Sequence, residues 1–482
     1  MTGAPCDLLV IGCGPTGAVL AGLAARRGLS VTVVEREADL FPLPRAVQCD
    51  HEVLRILQEF GCADELLAQS VLNDGLDLVR ADRVPFLSFT VPERARSGWP
   101  TSVFFHQPTL ERMLRRTLAD LSVDVRLATA VTCIDQDDDG VTATLSDGST
   151  VRASFAVGCD GARSATRDAI GATLDDLGFE ERWLVVDLLD VPPDAGLPTR
   201  CVQVCDPARP HTLVPMPGSR YRFEFMLLGG EVTASVQTGA TIGSLLTPWI
   251  DPATVEVERA AVYTFRGAVA DRWRSGRVLV CGDAAHQTPP FLGQGMCTGL
   301  RDAANLAWKL DTVIRGVAGP DLLDTYQSER APQARAVIGA AVEFGRLICM
   351  TDPEEAAARD AAFDEVPDDG GIAPELIPPL TPGPGVQPTG GDLSRQPTVG
   401  GRRLDDLVGP GFLLVTGVPL DPDDAAAWFW ASTGIALTTD DHPELCDLLD
   451  GAPACVVRPD RYVFGRGEVG VLTAGVEDLL GR

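Results

Sequence analysis

The residues with the most specific chemistry lie near the start of the chain. Gly12, Gly14 and Gly17 form a G-x-G-x-x-G run with Pro15 and Thr16 inside it. Cys6 to Ile11 before it is a short apolar run, suited to a strand buried on both faces. An Ala/Leu-rich stretch after it reads as a helix ending at Gly28. Ser30 to Val34 reads as the next strand, with Glu35 at its tip. In such a unit the first glycine makes a tight turn. The second lets a pyrophosphate approach bare backbone, and the third lets helix and strand pack closely. The helix N-terminus offers N–H groups and partial positive charge to phosphates. A carboxylate at Glu35 can accept from both ribose hydroxyls and disfavours a 2′-phosphate. The unit predicts dinucleotide binding, with FAD or NAD favoured over NADP.

Two later strand ends carry further polar chemistry. Val157 to Ser164 runs a strand into Asp160-Gly161 and then a helix. Val278 to Cys281 leads into Gly282-Asp283-Ala284-Ala285-His286, a stiff loop through Pro289, Pro290, Gly293, Gln294, Gly295 and Met296, and a helix from about Thr298 to Arg315. Asp283 at a strand end can bond a sugar-like chain, and the helix start can hold partial negative charge on a ring. Other candidates are balanced against plainer roles. His51 could be a substrate or proton-relay group, or a structural residue at a helix start, where Asp50 reads as the cap. Arg222 could bind a carboxylate, though a surface ion pair is the plainer reading. His211 and Arg222 lie in strand-like sequence. Glu224 and Met226 alternate with Phe223 and Phe225, so one face lines a core or a pocket. His286 reads as structural.

The elements that must hold these residues follow from the rest of the chain. At roughly 100–200 residues per domain, 482 residues predict about two to four domains. A net charge of −28 argues against nucleic acid and against an anionic membrane surface. Lys309 is the only lysine, and the thirteen cysteines form no C-x-x-C. Reduced thiols, no metal site and a cytoplasmic location are expected; no basic leader and no run of about 18 apolar residues is present. Strands are expected at Val123–Val131 and Val141–Leu145, and a helix follows Ser102–His106 from Gln107. Short alternating strands between Arg182 and Val262 (Trp183–Leu189, Thr199–Val204, Tyr221–Leu228) read as a mostly antiparallel sheet inserted in a nucleotide-binding domain. A long helical stretch follows from about Asp321 to Met350. Glu365–Gly401 reads as a Pro/Gly-rich linker. Beyond it, strands are expected at Phe412–Thr416, Ala454–Val457 and Val469–Leu472, with helices near Asp423–Ser432 and Val476–Leu480.

Together the three signals, in order and spacing from about residue 5 to 345, resemble the single-component flavin aromatic hydroxylases of the p-hydroxybenzoate hydroxylase fold. Pro42–Gln58, His106–Leu114, Val204–Gly218, Arg222–Glu231 and Pro289–Met296 resemble the 3-(3-hydroxyphenyl)propionate hydroxylase branch, with aromatic polyketide hydroxylases as relatives. The resemblance implies an α/β fold: a Rossmann-like FAD-binding domain of the glutathione-reductase type (1–180 and 265–365), an inserted substrate sheet (181–264), the linker (366–401) and a thioredoxin-like domain without C-x-x-C (402–482). It implies that Gly12, Gly14, Pro15, Thr16 and Gly17 hold the FAD pyrophosphate, Glu35 the ribose, with Arg36 beside the adenine. Arg45, Gln107, Val131, Asp160, Asp283 and the Gly293–Met296 backbone complete the cofactor set, and the Pro290 carbonyl lies closest to flavin and substrate. His211, Arg222, Glu224 and Met226 fall in the sheet that roofs the substrate pocket. Cys297 stands where the family usually carries Asn. The implied function is monooxygenation of a phenolic or polyketide-like aromatic by FAD, O2 and NADH or NADPH, through a flavin hydroperoxide, in a monomer or homodimer. A Baeyer–Villiger-type enzyme and a redox-silent FAD-binding protein are the alternatives. A flavin halogenase is disfavoured because no W-x-W-x-I-P segment is present.

Overall fold

The computed structural model describes residues 5–40, 44–364 and 376–481. The apolar run Cys6–Ile11 becomes the middle of a mostly parallel sheet, flanked by Thr150–Gly158 and Val31–Val34. Leu8, Leu9 and Val10 are fully buried there, as a strand covered on both faces requires. Asp124–Arg126 and Val278–Val280 extend this sheet in parallel on either side. Helix Pro15–Arg26 follows the first strand, begins with Pro at its first turn, and packs against helices Gln107–Asp120 and Gly295–Ile314.

The second large sheet has eight strands and is antiparallel apart from one pairing. It is larger than the 181–264 insert expected from sequence. Its two long strands, Leu174–Leu189 and Glu256–Ala270, overrun both ends, and Gly75–Val79 and Pro85–Thr90 join it from earlier chain. The near-unbroken run over Leu174–Leu189 is bent by a register shift between Asp176 and Glu180.

The C-terminal unit is a four-stranded sheet ordered Gly434–Thr438, Phe412–Thr416, Ala454–Val457, Val463–Gly467, with helices Ala425–Thr433 and Val469–Leu480. The strand expected at Val469–Leu472 is therefore the first turn of a helix. Leu472, Val476 and Leu480 are buried at four-residue spacing, a stripe that a short apolar window hides. Val123–Val131 is likewise two strands, Asp124–Arg126 and Val131–Gln136, broken at Ala128, whose φ is 52°. Helix Pro353–Asp364 lies just before the expected linker. Residues 365–375 of that linker lie outside the described residues. The remainder packs as a strap: Leu380, Val386 and Leu393 are buried, and Arg55 donates to the Ser394 carbonyl at 2.5 Å. Arg55 also forks onto Asp405 at 2.6 and 2.8 Å.

All thirteen cysteines are free thiols. Among the described residues no helix is long and apolar enough to cross a membrane, and no group of three or more His, Cys, Asp or Glu could hold a metal ion.

Candidate functional site

A cavity of about 1000 Å³ runs from the glycine turn to the face of the eight-stranded sheet. At one end, Gly12 has φ 100° and a Cβ there would sit 2.5 Å from the Cys159 carbonyl oxygen. A Cβ on Gly17 would lie 2.1 Å from the Gly12 carbonyl oxygen, so this glycine brings helix and turn together. Gly14 differs: nothing lies within 4 Å of its Cβ position, and it lines the cavity with Pro15 and Thr16. Bare backbone and a helix N-terminus thus face open space, the arrangement a pyrophosphate needs.

Glu35 caps the turn from below. Its carboxylate accepts from Cys13 N at 2.7 Å and Glu37 N at 3.0 Å. Glu35, Arg36 and Val131 do not line the main cavity; Arg36 is exposed and pairs with Glu37 at 3.3 Å. Gln107, first residue of its helix, accepts from Arg45 N and Ala46 N at 3.1 and 2.6 Å and donates to Glu111 at 2.6 Å. It thereby fixes the segment carrying Arg45, which lines the cavity. Asp160 is occupied: Ser164 Oγ donates to it at 2.5 Å and Thr166 N and Oγ1 at 3.0 Å. Its neighbours Cys159, Gly161 and Ala162 reach the cavity instead.

The third signal forms the opposite wall, lined by Asp283, Pro290, Gly293, Gln294, Gly295 and Met296. Asp283 is exposed at this wall, while its neighbours Gly282 and Ala284 are buried. Asp302, fully buried in helix Gly295–Ile314, pins this loop from behind. It accepts from Gly282 N at 3.2 Å and Arg330 Nε at 2.9 Å and pairs with His286 Nε2 at 2.6 Å. His286 is structural, as its sequence context suggested. Arg301 holds the loop to the helix capped by Asp50. It donates to Glu52 at 2.6 Å, to Gln294 Oε1 at 3.0 Å, and to Asp50, which also accepts from Glu52 N and Val53 N at 3.1 Å. The Gln294 side chain is thus engaged, leaving backbone on the cavity side. The Pro290 carbonyl already accepts from Gly293 N at 2.8 Å, so one lone pair remains for any hydroxyl. Cys297 is buried, its sulfur 3.6 Å from the Gly293 carbonyl, and does not line the cavity.

The sheet supplies the last wall. Strand parity sends Arg222 and Glu224 to the cavity and Phe223 and Phe225 to the core behind. His211 goes with that core. It stacks on Phe225, accepts from Trp249 Nε1 at 3.1 Å, and lies outside the cavity lining, against the expectation for it. Its strand neighbour Thr212 takes the cavity position, paired in register with Glu224 and Gln203. Met226, at the strand end, lines a separate small pocket and not this cavity. Arg222 is neither a surface pair nor a free carboxylate receptor. It is 2% exposed and forks onto Asp187 through Nε and Nη2 at 2.6 and 3.1 Å, while Nη2 also donates to the Pro44 carbonyl at 2.6 Å and Nη1 to the Arg45 carbonyl at 2.7 Å. Burial pushes the Glu224 carboxyl up, opposed by Arg222.

His51 lines the cavity beside Gln48 and Thr288. Its Nδ1 has no hydrogen-bond partner among the described residues, and burial pulls its pKa down, so the ring is neutral at physiological pH. Gln203, Thr212, Gln48 and Thr288 were missed from sequence. Only their register or loop position exposes them, and isolated polar residues in strands carry no motif.

The donor set fits a flavin dinucleotide: exposed backbone at Gly14 and at Gly293–Met296, an acid at Asp283 presented to the cavity, and a long apolar-walled cleft between them. Comparisons agree. The family model described as an FAD binding domain matches residues 5–341. A probable NADH-specific resorcinol 4-hydroxylase of Rhodococcus jostii is 37% identical over 98% of this chain and 93% of its own. A 3-(3-hydroxy-phenyl)propionate/3-hydroxycinnamic acid hydroxylase of Mycolicibacterium smegmatis is 34% identical over 95% and 90%. Among solved structures, aklavinone-11 hydroxylase with FAD and aklavinone matches at TM-score 0.82 and 26% identity over the whole of both chains. Anhydrotetracycline hydroxylase of Streptomyces rimosus matches at 0.80 and 26%, over 100% and 98%. The chain belongs to the FAD-binding-domain family of flavin-dependent aromatic hydroxylases.

Proposed function

We propose that this protein uses FAD and a reduced nicotinamide, NADH by analogy with the Rhodococcus relative, to hydroxylate a phenolic ring with O2. One observation carries the reading: a single cavity has a dinucleotide-type glycine turn at one end and a polar, sheet-borne wall at the other. Bound FAD supplies electron transfer from the nicotinamide and oxygen activation. The residues of this chain do the rest. Gly14, Pro15 and Thr16 receive the pyrophosphate, Arg45 and Asp283 the chain toward the ring, and the Gly293–Met296 backbone the ring's electron-rich edge. Glu35 acts on the adenosine half through the turn it braces. The strap from residue 376 closes part of the cavity with Leu376, Ile377 and Pro378, keeping water from the reacting ring. His51, neutral and with Nδ1 unpaired, accepts the substrate's phenolic proton, and the second lone pair of the Pro290 carbonyl orients that hydroxyl. The C-terminal unit reads as a thioredoxin-like fold without C-x-x-C whose two cysteines, exposed Cys446 and buried Cys455, are free thiols, so it serves packing rather than redox transfer.

The test is NADH oxidation by the FAD-loaded protein across a panel of phenols. The expected result is substrate-stimulated oxidation with oxygen uptake and a product one oxygen atom heavier. Bound FAD that no phenol renders reducible would overturn the proposal.

A further inference from the structure

The sheet wall of the cavity is ordered in rows by strand register. One row runs Gln203, Thr212, Glu224 and Val185 across four neighbouring strands. The next runs Val214, Arg222, Asp187 and Arg259. All but Asp187 line the cavity. In the second row the charges pair with one another. Asp187, 1% exposed, is clamped by Arg222 and by Arg259 at 3.3 Å, and both arginines also donate to the Pro44 carbonyl. In the first row Thr212 Oγ1 donates to Gln203 Oε1, which leaves the Thr212 hydroxyl as an acceptor. The Glu224 carboxylate accepts no hydrogen bond among the described residues; its nearest cation is Arg222 Nη1 at 3.7 Å.

We propose, resting on the hydroxylase reading above, that this wall selects a small uncharged dihydroxybenzene, with Glu224 accepting a hydrogen bond from one ring hydroxyl, and rejects rings that carry a carboxylate. Two guanidinium groups face two carboxylates, so the wall is balanced without a ligand. A carboxylate side chain docking there would bring a third anion beside Glu224, where the Arg222 donors already serve Asp187 and backbone carbonyls, Arg259 Nη1 serves Asp187 and Pro44, and Arg259 Nε, without a partner among the described residues, is enclosed by protein; a desolvated excess charge is costly. A neutral phenol keeps the balance and gives Glu224 the donor it lacks. Thr212 and Glu224 are one strand spacing apart, about 4.8 Å, the scale of two hydroxyls on one ring. Discrimination by an anion placed against the wrong ligand is an established route to specificity.

The experiment compares resorcinol with 3-(3-hydroxyphenyl)propionate as substrates of the FAD-loaded protein, with product formation measured beside NADH oxidation. The expected result is a kcat/KM for resorcinol higher by at least about 10-fold. In Glu224→Gln that ratio falls by roughly 10-fold, chiefly through KM for resorcinol, with bound FAD unchanged. If Glu224→Gln does not hold FAD, Thr212→Val is expected to lower the same ratio. Preference of the unmodified protein for the carboxylate substrate overturns the inference, as does an FAD-loaded variant with an unchanged ratio, while hydroxylation as such would stand. No NADH oxidation with any phenol overturns the hydroxylase reading and this inference together.

Discussion

Gly14 and Gly17 are three residues apart on one turn yet answer to different constraints. Space is open around the Gly14 Cβ position, whereas a Cβ on Gly17 meets the Gly12 carbonyl oxygen at 2.1 Å. Gly14→Ala is therefore expected to fold with an unchanged unfolding midpoint and to bind FAD at least about 10-fold more weakly, read by flavin titration. Gly17→Ala is expected to lose about 1–3 kcal/mol of stability in denaturant, because helix and turn must separate. His51 is a residue-scale test of a different kind. If it takes the phenolic proton, His51→Asn lowers kcat by roughly 100-fold while bound FAD and substrate KM hold nearly steady. A purely structural His51 would lower FAD content and thermal stability instead.

At the scale of elements, helix Gly295–Ile314 organises the site from behind. Its Asp302 joins the Gly282 turn, His286 and Arg330, and its Arg301 joins Asp50, Glu52 and Gln294. Each is a buried charge whose partners cannot turn to water. Asp302→Asn is expected to cost about 3–5 kcal/mol in urea unfolding, since Arg330 would be left without its anion. The same helix carries Lys309, fully buried on Glu329, which also receives Arg458 at 2.8 Å from the C-terminal unit. These cations hold the Glu329 carboxyl down at about 2, against an ordinary 4.5. A carboxyl lowered on folding contributes stability that is complete above about pH 4.5 and lost as pH falls toward 2. The stability gap between the unmodified protein and Glu329→Gln should therefore narrow steadily between pH 5 and pH 2, as urea midpoints at several pH values would show.

For the whole molecule, the Pro/Gly-rich stretch from residue 376 onward is part of the body rather than a spacer. Arg55 reaches across 339 residues to Ser394 and 350 to Asp405, and Gln396 donates to the Ser97 carbonyl. The strap also supplies Leu376, Ile377 and Pro378 to the cavity wall. Cutting the chain before residue 376 removes the partners of Arg55 and Arg461's contact with Asp405 together with a wall of the site. The truncated protein is expected to be poorly soluble. Any folded fraction should oxidise NADH without a matching yield of hydroxylated product, measured as the ratio of product to NADH consumed, because water enters where the strap had excluded it.

The sequence by itself determined the glycine turn, the first strand and helix, the Gly282–Met296 loop and the alternation over Tyr221–Met226. Each is a local pattern whose period or turn chemistry needs no distant partner. Which side of a strand faces the ligand was not local. His211 was expected at the pocket, yet pairing of Thr212 with Glu224 turned His211 to the core, and a shift of one residue would have reversed them. Arg222 could be read as a surface charge until Asp187 and Arg259 were brought beside it by strands 35 and 37 residues away in sequence. The same holds for the recruitment of Gly75–Thr90 into the second sheet. Short-range spacing sets where backbone can bend and which residues share an element. Register and long-range packing decide which side chains meet, and tertiary structure alone fixed that.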